Sequence, residues 1–143
     1  KVYCAVDCGI VVNQSGALNQ VVGSIVDGLG HAMYGQLTFK NGEPEQKNFN
    51  TYRLIRIHEI PEVDVHFVDN GIDPTGLGEP ALPPLSGAVA NAFYKAMGKR
   101  FRNQPFSPLI LAKWLSSPAW IRTPSNQTGS AWQSAAPENG GMW

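Results

Sequence analysis

The sequence predicts an α+β fold, a mixed β-sheet covered by two main helices, on three observations. Short runs rich in β-branched residues recur at 2–12, 52–57 and 63–68; two longer segments repeat apolar residues with a helical period; and a loop dense in glycine and proline separates the last strand from the second helix.

Residues 2–12 end in the turn formers Asn13-Gln14-Ser15-Gly16, so a strand followed by a turn is expected. Leu18, Val21, Val22, Ile25, Val26, Leu29 and Met33 then fall at offsets 0, 3, 4, 7, 8, 11 and 15, one stripe of a helix running to Gln36. Gly23, Gly28 and Gly30 each cost such a helix about 1 kcal/mol relative to alanine. That penalty is tolerated where backbone must come close to a neighbouring helix or to a ligand. Residues 36–40 lead into Asn41-Gly42, a hairpin turn signal, with 45–50 as the returning strand. Strands are also expected at 52–57 and 63–68, on either side of Ile60-Pro61. In the second, Val63, Val65 and Phe67 alternate with Asp64 and His66, so one face of the sheet should be wet. Residues 69–84 hold too many glycines and prolines for a regular element. The second helix starts near Leu85, with Leu85, Ala88, Val89, Ala92, Phe93, Ala96 and Met97 on one stripe and Gly98 as its C-terminal cap.

Composition shifts after Phe106. All four tryptophans lie in residues 107–143, together with Pro108, Pro118, Pro124, Pro137 and only three charged side chains. The expected organisation is one domain over 1–106 and an atypical, irregular tail over 107–143.

The chain of 143 residues carries 11 basic and 11 acidic side chains, with 43% hydrophobic and 15% charged residues. Balanced charge without a basic cluster removes the electrostatic footprint of nucleic-acid and anionic-membrane binders. No apolar run approaches the roughly 20 residues of a membrane span. The opening Lys1-Val2-Tyr3 has neither an initiator methionine nor a secretory leader, and the chain is expected to be the later part of something longer. Cys4 and Cys8 would face the same side of one strand, too far apart to bridge, and read as buried thiols. They leave the compartment undetermined.

Glu79 is the leading candidate for chemistry. Flanked by Gly78 and Pro80, it sits on non-helical backbone with small neighbours, and partial burial would suit it to act as a general base. The alternative reading of Glu79 is an ordinary solvated loop glutamate. His31, His58 and His66 with Cys4 and Cys8 show no zinc-type spacing, so no protein-ligated metal is expected. No nucleophile elbow accompanies Asp7 and Cys8, and the glycines between Gly23 and Gly30 lie within a helical pattern rather than between strand and helix, unlike a dinucleotide-binding loop.

Four runs occur in order: Cys4-Ala5-Val6-Asp7-Cys8-Gly9; Gln20-Val21-Val22-Gly23-Ser24-Ile25-Val26-Asp27-Gly28-Leu29-Gly30; Thr75-Gly76-Leu77-Gly78-Glu79-Pro80; and Pro83-Pro84 followed by Ala88-Val89-Ala90-Asn91-Ala92. Together they resemble the C-terminal end of the molybdopterin-binding large subunit of the xanthine oxidase family. Within it, they are most similar to the beta subunit of isoquinoline 1-oxidoreductase and related bacterial aldehyde dehydrogenases. The resemblance covers residues 1–106 and implies that the fold is part of a larger molybdopterin-binding domain. It implies a molybdenum hydroxylase that oxidises an N-heterocycle or aldehyde with water-derived oxygen. Glu79 matches the general base, Gln20 a glutamine that hydrogen-bonds the pterin, and Gly76 and Gly78 the positions that let the loop pass close to the cofactor. The implied cofactor is molybdopterin, as its cytosine dinucleotide. The implied partners are an upstream large-subunit portion and an iron-sulfur (2Fe-2S) small subunit. Family large subunits are several times longer, so the isolated chain is not expected to hold the cofactor. The alternative function is a non-catalytic fold remnant acting in self-association or partner binding. Residues 107–143 resemble nothing in the family.

Overall fold

The computed structural model describes residues 1–108. The description below is of the unit Lys1–Ser107. The irregular tail expected from the sequence lies outside the described residues.

Strand β1 (Val2–Val6) pairs in parallel with β4 (Val63–Phe67), Val2 opposite Val63, Cys4 opposite Val65 and Val6 opposite Phe67. The remaining elements are helix α1 (Gln14–Tyr34), a two-residue antiparallel hairpin of β2 (Phe39–Lys40) and β3 (Glu43–Pro44), a single 3-10 turn (Ile57–Glu59), and helix α2 (Pro83–Met97). The alternation predicted for the last strand is present: Val63, Val65 and Phe67 turn toward the core while Asp64 and His66 are exposed. Val6, Cys8, Val21, Ile25, Ala81 and Leu85 form that core, between the inner face of the β1–β4 pair and the two helices.

The first strand is shorter than expected, and the predicted turn after it is instead the start of α1. Asn13 caps the helix, its side-chain Oδ1 accepting the Gly16 N–H at 2.9 Å. The buried face is also rotated from the apolar stripe. Ala17, Val21, Ser24, Ile25, Gly28 and Ala32 are buried, whereas Leu18 is exposed. The rotation places small residues where other backbone comes close: a Cβ on Gly28 would lie 3.1 Å from the Leu82 carbonyl oxygen and 3.2 Å from Leu85 Cδ2. Close helix packing is thus found at Gly28 alone: Gly30 meets Ile55, and a Cβ on Gly23 would meet nothing within 4 Å.

Two expected strands are absent. Residues 52–57 form no ladder because local side chains satisfy their backbone: Arg53 donates to the Leu54 carbonyl, and the Arg56 N–H donates to Glu59 Oε2 at 2.7 Å. The segment is instead fastened to the end of α1. Tyr34 donates its hydroxyl to Glu59 Oε1 at 2.8 Å, and the Arg53 guanidinium lies 4.3 Å from the centre of the Tyr34 ring. The strand expected at 45–50 ends with β3, since Pro44 offers no N–H and Asn48 folds the chain into a turn that takes the N–H groups of Thr51 and Tyr52, each at 2.9 Å. The hairpin turn itself is as predicted, with Asn41 and Gly42 both at positive φ.

Helix α2 begins at Pro83, two residues earlier than the stripe suggested, because proline is suited to a first helical turn. It ends at Gly98, whose φ of 65° lets its N–H reach the Tyr94 carbonyl at 2.8 Å. Beyond it, Phe93 meets Phe101 and Phe106 edge to face, with centroids 6.1 and 5.6 Å apart.

Candidate functional site

Because β1 and β4 run parallel, the segments leaving their carboxyl ends emerge side by side. Pairing continues past the strands: the Val68 N–H donates to the Val6 carbonyl at 2.8 Å, the Ile10 N–H to Ile72 at 3.0 Å and the Thr75 N–H to Cys8 at 2.9 Å. Asp7 Oδ1 accepts from the Asn70 side chain at 2.7 Å and, at 3.4 Å, from the Gly9 N–H. Gly9 is required here. Its φ is +70°, and a Cβ on it would sit 2.3 Å from the Asp73 carbonyl oxygen. Segment 7–10 therefore fixes the path of the loop that carries Glu79.

From Thr75 the loop crosses the N-terminal half of α1. Leu77 packs against the core, Ala81 is buried in it, and Glu79 between them is exposed. Ser24, buried on α1, donates its hydroxyl to the Gly78 carbonyl at 3.2 Å. Gln20, one turn earlier on that helix, has its Nε2 3.9 Å from where a Cβ on Gly78 would lie. The structure thus brings Gln20, Gly78 and, one residue on, Glu79 to one edge of the molecule. Gly76 is exposed on the same loop, with nothing within 4 Å of the position its Cβ would occupy. Among the described residues, neither the Gln20 carboxamide nor the Glu79 carboxylate makes a hydrogen bond or ion pair. The partial burial expected of a general base is not supplied by residues 1–108. Sequence reasoning also missed Ser24; its only signal was a small polar residue four positions after Gln20 in an otherwise apolar stripe.

Cys8 is buried and Cys4 half-buried, and burial pushes the Cys4 thiol above its ordinary pKa. Glu59 is held below the usual carboxylate range by the Arg56 N–H first and then by Tyr34 and Arg53, and Tyr34 is raised by burial and by its bond to Glu59. Among the described residues no three His, Cys, Asp or Glu side chains gather as metal ligands. No described helix is long and apolar enough to cross a membrane.

The molybdopterin cofactor-binding domain family matches residues 1–61. The chain is 35% identical over 117 residues to the membrane-bound aldehyde dehydrogenase [pyrroloquinoline-quinone] of Gluconacetobacter polyoxogenes, covering 82% of this chain and 15% of that protein. It is 29% identical over 118 residues to the isoquinoline 1-oxidoreductase subunit beta of Brevundimonas diminuta, with the same two coverages. The chain belongs to the molybdopterin-binding xanthine oxidase family. Family membership accounts for the fold as well. Quinoline 2-oxidoreductase from Pseudomonas putida 86 superposes with a TM-score of 0.67 at 17% identity, over 80% of this chain and 16% of that one. The Cu,Mo-CO dehydrogenase superposes with a TM-score of 0.59 at 21% identity, over 71% and 14%. The architecture is part of a larger molybdopterin-binding domain, and this chain spans about 15% of the curated relatives it matches.

The residues present fit the family's cofactor in donor chemistry. A carboxamide with both a free donor and a free acceptor stands beside a loop whose two glycines leave the backbone unobstructed, and the adjacent carboxylate is unpaired among the described residues. Gln20, Gly76, Gly78 and Glu79 are all exposed at this edge.

Proposed function

We propose that this chain supplies the Glu79 loop and the Gln20 contact of a molybdenum hydroxylase that oxidises an N-heterocycle or an aldehyde with water-derived oxygen. The observation that carries this reading is that Gln20 Nε2 lies 3.9 Å from where a Cβ on Gly78 would stand, one residue from Glu79, beyond the carboxyl end of the parallel strand pair. Gln20 offers its N–H and C=O to the edge of the pterin, and Gly76 and Gly78 keep side chains out of the cofactor's way. When bound, the molybdenum cofactor, as its cytosine dinucleotide, supplies the two-electron oxidant. Glu79 is the general base, taking the proton released by the water-derived nucleophile.

The rest of the site belongs to an upstream large-subunit portion, and electrons leave through a 2Fe-2S small subunit. Molybdenum and pterin content, measured on this chain alone and after co-expression with those partners, tests the assembly. Cofactor only on co-expression is the expected result, and cofactor on the isolated chain would overturn the divided site. In the assembled complex, Glu79→Gln should keep full molybdenum content and lower turnover by about 100-fold or more; ordinary turnover would remove Glu79 from the mechanism.

A second reading, a non-catalytic remnant that self-associates or binds a partner through apolar surface, is favoured by one observation. Ile57, Val12, Tyr3 and Phe49 are between 74% and 87% exposed. A compact monomer by light scattering that binds no hydrophobic dye would rule it out.

A further inference from the structure

We infer that Ser24 is the positioning residue for Glu79: its hydroxyl fixes the peptide immediately before the proposed base, and so sets where the carboxylate stands relative to Gln20. This rests on the role proposed for Glu79 above.

Ser24 is the buried polar side chain of the described core. A hydroxyl in that setting is tolerated when it is hydrogen-bonded, and its partner is the Gly78 carbonyl 54 residues away in sequence. Among the described residues, this is the only hydrogen bond from residues 76–81 to another element; the other bond in the stretch, from the Leu82 N–H to the Glu79 carbonyl at 3.0 Å, stays within the loop. Leu77 and Ala81 hold the loop by apolar contact, which fixes depth but allows the intervening peptides to rotate. A hydrogen bond to the carbonyl of Gly78 removes that rotation just before Glu79. The same helix face presents Gln20 one turn away, so one rigid element sets both the pterin contact and the base. Gly78 has no side chain to restrict its own backbone, and it is here that an external tether has most effect.

The test compares the full chain with Ser24→Ala and with Ser24→Thr, which keeps the hydroxyl. Amide hydrogen exchange needs no cofactor. Ser24→Ala should speed exchange of the Leu82 amide, whose hydrogen bond to the Glu79 carbonyl closes this loop, by about fivefold, the effect of losing one ordinary hydrogen bond, leave the β1 and β4 amides unchanged, and be rescued by Ser24→Thr. Unchanged exchange in that loop, or equal acceleration throughout the chain, would overturn the inference. In the assembled complex, Ser24→Ala should keep full molybdenum content and lower kcat with KM unchanged. A Ser24→Ala complex with normal kcat would overturn positioning even if the loop had loosened. Glu79→Gln run in parallel separates the two ideas: ordinary turnover there refutes the base itself, whereas a dead Glu79→Gln beside a fully active Ser24→Ala refutes only the tether.

Discussion

Gly9→Ala should be one of the most damaging single-methyl additions in the described chain, and its cost follows from two independent terms. At φ +70° a non-glycine residue pays the left-handed penalty of about 1–2 kcal/mol. The new Cβ would also lie 2.3 Å from the Asp73 carbonyl oxygen and 2.8 Å from that of Ile72. Both atoms are backbone, so relief requires segment 72–73 to move, an overpacking cost of about 1–3 kcal/mol. The sum is about 2–5 kcal/mol, a large part of the stability of a domain this size. Gly76→Ala is the matched control, since its Cβ meets nothing within 4 Å and its φ is not positive; it should be neutral or slightly stabilising. Urea unfolding followed by far-UV circular dichroism suits the purpose, because the signal of helices α1 and α2 reports the described fold directly. With a slope of about 1–3 kcal/mol per molar urea, Gly9→Ala should lower the midpoint by about 0.7 M or more. A midpoint within about 0.2 M of wild type would refute the claim that Gly9 is fixed by close approach to the Glu79 loop.

Other outcomes follow from the packing and the titrating groups. Gly28→Val should destabilise by about 1–3 kcal/mol in the same assay, because the Leu82 carbonyl and Leu85 already sit within 3.2 Å of its Cβ position. Ile25→Ala, at a side chain only 1% exposed, should cost about 2–5 kcal/mol. Glu59 has a folded pKa below its unfolded one, so the stability it contributes is present above the ordinary glutamate pKa and disappears as pH falls through the folded value; Glu59→Gln should flatten stability against pH on that acidic side. Tyr34 is raised, so its contribution is present below the ordinary tyrosine pKa and is lost as pH rises through the folded value; Tyr34→Phe should flatten the alkaline side, and an unchanged alkaline limb would remove Tyr34 from the account.

Elements with a local cause were legible in the sequence. The Asn41-Gly42 turn, the Gly98 cap and the alternation of Val63, Val65 and Phe67 each depend on residues within a few positions, and the sequence motifs that carried the family resemblance are likewise contiguous runs. Some misreadings had local causes, the strand at 45–50 in Pro44 and the Asn48 turn and the turn at 13–16 in the Asn13 cap; others involved a partner distant in sequence. Residues 52–57 have strand composition, but Tyr34 on α1, with the local Arg53–Glu59 pair, holds them in irregular backbone. Leu18 belongs to the apolar stripe, yet α1 turns its small residues inward because Leu82 and Leu85 approach along Gly28.

The candidate site divides in the same way. Glu79 between Gly78 and Pro80 was evident from residue type, since backbone freedom and a carboxylate are properties of adjacent positions. Gln20 and Glu79 stand 59 positions apart, and nothing in their spacing says that they share an edge. Parallel pairing of β1 with β4 brings their carboxyl ends together, and a bond from Ser24 to Gly78 then sets the loop against the helix. The sequence by itself determined which chemical groups the chain carries and which short segments bend or coil. Only the tertiary structure decided which of them meet, because hydrogen bonds and packing act between atoms close in space whatever their separation along the chain.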